Sequence, residues 1–105
     1  MTTISDSRLQ NLRSALQNQF ESHAEELTRL SRHASNPEHN GMDRHTVTAL
    51  LDSTRQALAD TTQALKRMTD GTYGVCEACR RAIPVERLEI LPHAGFCVPC
   101  QQTRR

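Results

Sequence analysis

The chain is poor in the residues from which large cores are built: its 105 residues include no tryptophan, and Phe20, Tyr73 and Phe96 are its only aromatics. So few bulky side chains fill little core at this length, which leaves a metal ion or a partner to supply much of the stability. No apolar run is long enough to span a bilayer. The opening stretch, Met1-Thr2-Thr3-Ile4-Ser5-Asp6, lacks the basic and apolar regions of a secretory leader, and the expected setting is the cytoplasm. A surplus of one charge is missing too. The formal balance of +1 speaks against a strongly basic nucleic-acid-binding domain while leaving local patches open. Lysine is nearly absent, Lys66 being the only one, a usage that suits a GC-rich bacterial genome. No nucleophile–base pair, phosphate loop or open metal site can be assembled, so the expectation is a protein that is not an enzyme.

What the chain does have is four cysteines in its last third, arranged as Cys76-x-x-Cys79 and Cys97-x-x-Cys100. Each Cys-x-x-Cys turn aims two sulfurs at one point, and two turns at this separation supply the tetrahedral thiolate cage of a closed zinc site. One structural Zn2+ per chain is expected, bound by Cys76, Cys79, Cys97 and Cys100. A disulfide framework needs an oxidising compartment, which the opening residues give no reason to expect. A thioredoxin-like pair needs a βαβ setting, which is not present. His93 is read as a surface loop residue outside the site. Arg80, Arg81 and Arg87 cluster around a centre of formal charge two minus, where they either offset that charge or contact nucleic acid.

Upstream, the apolar positions follow a helical period. Leu9, Leu12, Leu16, Phe20, Ala24, Leu27, Leu30 and Ala34 recur at steps of three and four, predicting a helix from about residue 5 to 34 with Ser5 or Asp6 as its N-cap. A second stripe, Val47, Leu51, Thr54, Leu58, Thr61, Leu65 and Met68, is a heptad seam. Between them, Ser35 to Met42 is rich in turn formers, with Pro37 and Asn40-Gly41, so the chain reverses there. Asp43 is a natural N-cap for the second helix, and Asp70-Gly71 closes it. Pro84 suits the first position of a short helical turn, and the tail from Gln101 to Arg105 is too short for an element of its own. The expected fold is mainly α: an antiparallel two-helix coiled-coil hairpin over 1–70, turning at about 35–42, followed by a four-cysteine zinc-finger module over 71–105. A monomer is expected. A dimeric four-helix bundle is the alternative that the narrow stripes leave open.

The hairpin running into Gly71-Thr72-Tyr73-Gly74-Val75-Cys76-Glu77-Ala78-Cys79, then Ile83-Pro84-x-x-Arg87-Leu88-Glu89-x-x-Pro92 and Phe96-Cys97-Val98-Pro99-Cys100, resembles the DksA/TraR family of bacterial zinc-finger proteins. The match is dense over about residues 71 to 101 and architectural over the hairpin. Nothing corresponds to the N-terminal segment or the longer C-terminal helix of full-length members, so the chain resembles the short ones, and its arginine usage suggests an actinobacterial source. The resemblance implies a transcription regulator that inserts its hairpin into the secondary channel of RNA polymerase and alters initiation complexes without sequence-specific DNA binding. Members acting this way carry Asp-x-x-Asp-x-Ala at the hairpin tip. Here the run is Asn40-Gly41-Met42-Asp43-Arg44-His45, which keeps only the second aspartate. Asp43, with Asn40 and Arg44 beside it, is therefore the expected partner-binding set, and Asp43 serves either as a tip group or as a helix cap. His33, His39 and His45 near the turn lack a chelating pattern and are read as solvated.

The resemblance also bears on the alarmone guanosine tetraphosphate, which full-length members meet with basic residues. The corresponding positions here are Asp60, Leu91 and Gln101, none of them a cation, so alarmone binding is not expected. Two other functions stay open from sequence. One is a zinc module binding nucleic acid through Arg80, Arg81, Arg87, Arg104 and Arg105; the other is an adaptor whose hairpin binds a helical protein.

Overall fold

The computed structural model describes residues 4–35 and 43–103. Among the described residues four helices follow one another: α1 (Asp6–Ser35), α2 (Arg44–Asp70), α3 (Val85–Ile90) and α4 (Val98–Thr103). Among the described residues there is no strand, and the one β-type pairing is an isolated antiparallel bridge between Val75 and Ala82. α1 and α2 pack along each other, giving an elongated molecule of 53 × 30 × 21 Å. The expected turn lies outside the described residues.

The helix ends are set by local chemistry. Ser5 Oγ accepts a hydrogen bond from the Arg8 N–H at 3.3 Å, so Ser5 is the cap of α1. α2 ends on Gly71 in the left-handed region, φ 81°, which side chains other than glycine adopt at a cost. That conformation turns the Thr72 N–H onto the Arg67 carbonyl at 2.9 Å, satisfying an end that would otherwise be orphaned. Pro84 stands one place earlier than expected, at the N-cap of α3 rather than inside it. Residues 101–103 belong to α4 rather than to a separate tail, because Gln101 donates to the Cys97 carbonyl at 2.9 Å and carries the helix on to Thr103.

The apolar interior falls into two clusters. Near the turn, Leu30, Val47 and Leu51 bury one another with Leu27 alongside. At the other end Leu12 packs with Cys76, Ile83, Leu88 and Ala94, joined by Ile4, Met68 and Tyr73. The base of the hairpin and the cysteine-bearing segment thus share one core. Between the clusters Leu16 is wholly buried, but polar groups also enter the seam: Thr54 and Thr61 are buried, and Gln19 Oε1 is buried without a hydrogen-bond partner among the described residues. Thr61 satisfies its hydroxyl by donating to the Ala57 carbonyl at 2.8 Å.

Burial departs from the expected stripes on both helices, and Ala34 at the end of the first stripe is exposed. Phe20 is 38% exposed despite its place in the α1 stripe. Towards the end of α2 the buried residues are Ala64 and Arg67, with Leu65 and Met68 only half-buried. A straight helix of 3.6 residues per turn drifts about 20° per heptad against a 3.5-residue seam, so the buried face has rotated by the last turns.

Candidate metal centre

Two backbone turns present the cysteines. In the first, the Cys76 N–H donates to the Arg81 carbonyl at 2.8 Å and the Arg80 N–H donates back to the Cys76 carbonyl at 3.0 Å. Closing this knuckle puts Arg80 at φ 66°, the one non-glycine described in the left-handed region. Gly74, at φ 85°, precedes it and brings its carbonyl to the Ile83 N–H at 2.8 Å. The second turn runs into α4, with Cys97 just before the helix and Cys100 within it. Glu77, between the first two cysteines, donates its N–H to the Gly95 carbonyl at 2.9 Å and so ties the two turns together. α3 completes the frame: Leu88 is wholly buried, Arg87 Nε donates to the Phe96 carbonyl at 3.1 Å, and the Tyr73 hydroxyl donates to the Pro92 carbonyl at 2.8 Å. Burial pushes the Tyr73 hydroxyl up to about 12, against the opposing pull of Arg67, which keeps it a neutral donor.

The four Sγ atoms lie within 4.8 Å of one another, and Cys79 and Cys97 are 3.7 Å apart. Metal–sulfur bonds of about 2.3 Å in a tetrahedron require sulfur–sulfur edges of about 3.8 Å, so the donor set fits a thiolate-bound zinc ion. The four cysteines thus form a C4 site able to hold one metal ion. Cys76 is buried, Cys97 and Cys100 are partly covered, and Cys79 faces solvent. Burial alone pushes the Cys76 thiol up. The N–H groups of Cys79, Cys97 and Ala78, with the Cys79 side chain, outweigh it and lower the thiol to about 6. Cys100 is pushed up to about 12, first by its hydrogen bonds with Cys97 and Cys76 and then by burial. Backbone N–H groups thus favour the Cys76 thiolate, the form in which a cysteine binds metal.

Among the described residues these cysteines are the one group able to hold a metal. Asp43 and Arg44 are exposed at the other end of α2, about 40 Å of helix away, while Asn40 and His39 lie outside the described residues. His33 is half-buried and His45 exposed. Arg80 and Arg81 are exposed, whereas Arg87 is engaged with the backbone. Asp60, Leu91 and Gln101 line one solvent-open cavity of about 600 Å3 between α2 and the zinc-finger segment, together with Arg67, Glu77 and Arg87. Sequence reasoning missed Arg67, which is 8% exposed and reaches the second turn through the Ala94 carbonyl. Its one signal was spacing, since it stands three residues after Ala64 on the drifting face of α2.

Comparison with known proteins adds a relationship. The prokaryotic dksA/traR C4-type zinc finger matches residues 71–105. General stress protein 16O of Bacillus subtilis is 40% identical over 85 residues, 77% of this chain and 52% of that protein. The RNA polymerase-binding transcription factor DksA of Caulobacter vibrioides is 34% identical over 89 residues, 85% of this chain and 57% of that one. The chain thus spans about half the length of these relatives. Among solved structures, transcription factor DksA2 from Pseudomonas aeruginosa superposes with a TM-score of 0.54 at 27% identity, covering 92% of this chain and 76% of that one.

Proposed function

Because the chain belongs to the DksA/TraR family of C4-type zinc-finger proteins, we propose that it is an RNA polymerase-binding transcription regulator, not an enzyme, acting as a monomer in the cytoplasm. In this reading residues 1–70 form the hairpin that enters the secondary channel of the polymerase. Residues 71–105 form the zinc module that anchors it, with one Zn2+ on Cys76, Cys79, Cys97 and Cys100. The observation that carries the reading is the separation of parts: a closed thiolate centre at one end and an exposed acidic residue at the other end of a narrow helical pair. A narrow pore admits such a rod, and a carboxylate delivered near a bound magnesium ion alters the field around it. Affinity purification of the tagged chain from its own cells tests the proposal. Polymerase subunits are expected, whereas nucleic acid alone or an unrelated helical protein would replace it with one of the other two functions.

Asp43 is the tip group in this proposal. It occupies the N-cap of α2 with φ −64° and ψ 142°, yet its side chain makes no capping hydrogen bond, which favours a role towards the partner. Asp43→Asn keeps a capping side chain while removing the charge. Helix content and co-purification with polymerase should stay unchanged while the transcriptional effect falls on the order of tenfold, as loss of one charge-assisted contact implies. Full effect in Asp43→Asn, measured by in vitro transcription, would reduce the residue to a cap.

Alarmone insensitivity follows from the same cavity residues. Asp60 offers a carboxylate where a phosphate would need a donor, and Leu91 and Gln101 offer no charge. Arg67 and Arg87 are nearby, but each is engaged by the protein's own acceptors. Titrating guanosine tetraphosphate into transcription reactions with the cognate polymerase should give the same response with and without the chain. Marked synergy would overturn this part.

A further inference from the structure

Arg67 is the one charged residue buried in the described structure, and it sits in the last turn of α2, where the hairpin passes into the zinc-finger segment. Its carbonyl receives the N–H groups of Thr72 and Tyr73 at 2.9 and 3.2 Å, which fixes the exit of the chain. Its guanidinium reaches two separate places. Nη2 donates to the Ala94 carbonyl at 3.4 Å, just ahead of the second cysteine pair, and Nη1 lies 3.6 Å from Glu77 Oε2, inside the first pair. Glu77 in turn holds the Gly95 carbonyl through its N–H. Gly95 has to be glycine for this arrangement, because a Cβ there would collide with Glu77 Oε2 and crowd Arg67 Nη2. Arg67 Nε is left without a partner, so the burial of this cation rests on these two contacts.

We infer that Arg67 is a positioning residue: with Glu77 and Gly95 it forms a clasp that fixes the angle at which the hairpin leaves the metal centre. The shared apolar core is non-directional and tolerates small rotations of one body against the other. A planar fork engaging both cysteine-bearing turns from α2 does not, because both contacts hold only over a narrow range of angles. Since the far end of the hairpin is about 40 Å from this joint, a small angular freedom at Arg67 becomes a displacement of several ångströms at Asp43. The clasp is a property of the free chain and stands without the polymerase reading; only its effect on transcription depends on that reading.

The test is a distance measurement on the free, zinc-loaded protein. Nitroxides carried on keto amino acids in place of Arg55 and Glu86, both exposed, leave the cysteines free for the metal. Double electron–electron resonance should give one narrow distribution for the otherwise unaltered chain. Arg67→Met and Glu77→Ala should each broaden it about twofold, as a joint freed of its lock samples neighbouring angles. The double variant should be no broader than either single one, with the zinc stoichiometry unchanged throughout. Arg67→Lys keeps the charge but not the fork, and should broaden like Arg67→Met. A narrow distribution in Arg67→Met or Arg67→Lys, or additive broadening in the double variant, overturns the clasp. If Arg67→Met does not fold, Glu77→Ala and Gly95→Ala break the same contact from its solvent side, and narrow distributions in both overturn it equally.

Discussion

Cys76→Ser is expected to abolish stoichiometric zinc, to unfold the chain beyond Gly71, and to loosen the first turns of α1 with it. Cys76 is the fully buried ligand and also a member of the core that contains Leu12, Ile83 and Leu88, with Ile4 and Met68 packed against it. Structural zinc in small modules contributes on the order of 10 kcal/mol, more than so small a core supplies unaided. The cluster near the turn shares no residue with that core, so Leu30, Val47 and Leu51 should stay packed. Elemental analysis and amide hydrogen exchange together check this. Protection should disappear around residues 9–16 and 72–100 and persist around Leu30 and Val47. Unchanged protection in a zinc-free variant would mean that the segment folds without metal. The same chemistry sets a pH dependence. Uptake of metal requires thiolates, so acidifying the apo chain through about 6, where Cys76 regains its proton, should weaken zinc binding, and raising the pH should restore it.

Leu30→Asp should do the converse, opening the end near the turn and sparing the metal. Leu30 has no exposed surface and lies against Val47 and Leu51, so a carboxylate there is stranded among apolar groups with no partner. The loss of packing and the buried charge together place the cost at about 4 kcal/mol or more, the upper end for single substitutions. Thermal unfolding followed by circular dichroism should show a large drop in the midpoint for helix loss, while zinc stoichiometry remains one per chain. Loss of zinc along with the helices would show that the molecule unfolds as a single cooperative unit.

The parts of the molecule that were legible in the sequence are those that write a periodic or paired signal. The stripes from Leu9 to Leu30 and from Val47 to Thr61 state two helices, and the paired Cys-x-x-Cys turns state a tetrahedral centre that the sulfur positions fit. The rest depended on how the two pieces meet, which no local pattern records. Arg67 is buried where the cysteine-bearing segment meets α2, and an arginine there reads as solvent-facing until the Ala94 carbonyl opposite it is known. Phe20 reads as core by spacing, yet it lies along the polar middle of the seam and stays 38% exposed. Asp43 reads as a cap by type, but capping needs a side-chain hydrogen bond, and that geometry is not made.

The polar middle of the seam also bears on how long the rod has to be. Neither apolar cluster draws on the residues between Leu16 and Leu27 of α1 or between Thr54 and Thr61 of α2, so neither end dictates the distance to the other. Seven residues added to each helix within that stretch preserve the facing surfaces and lengthen the rod by about 10 Å, whereas three or four added to one helix alone rotate its buried face away from its neighbour. Reach is in this sense adjustable in steps of a heptad, without redesigning the metal end or the far end of the helical pair.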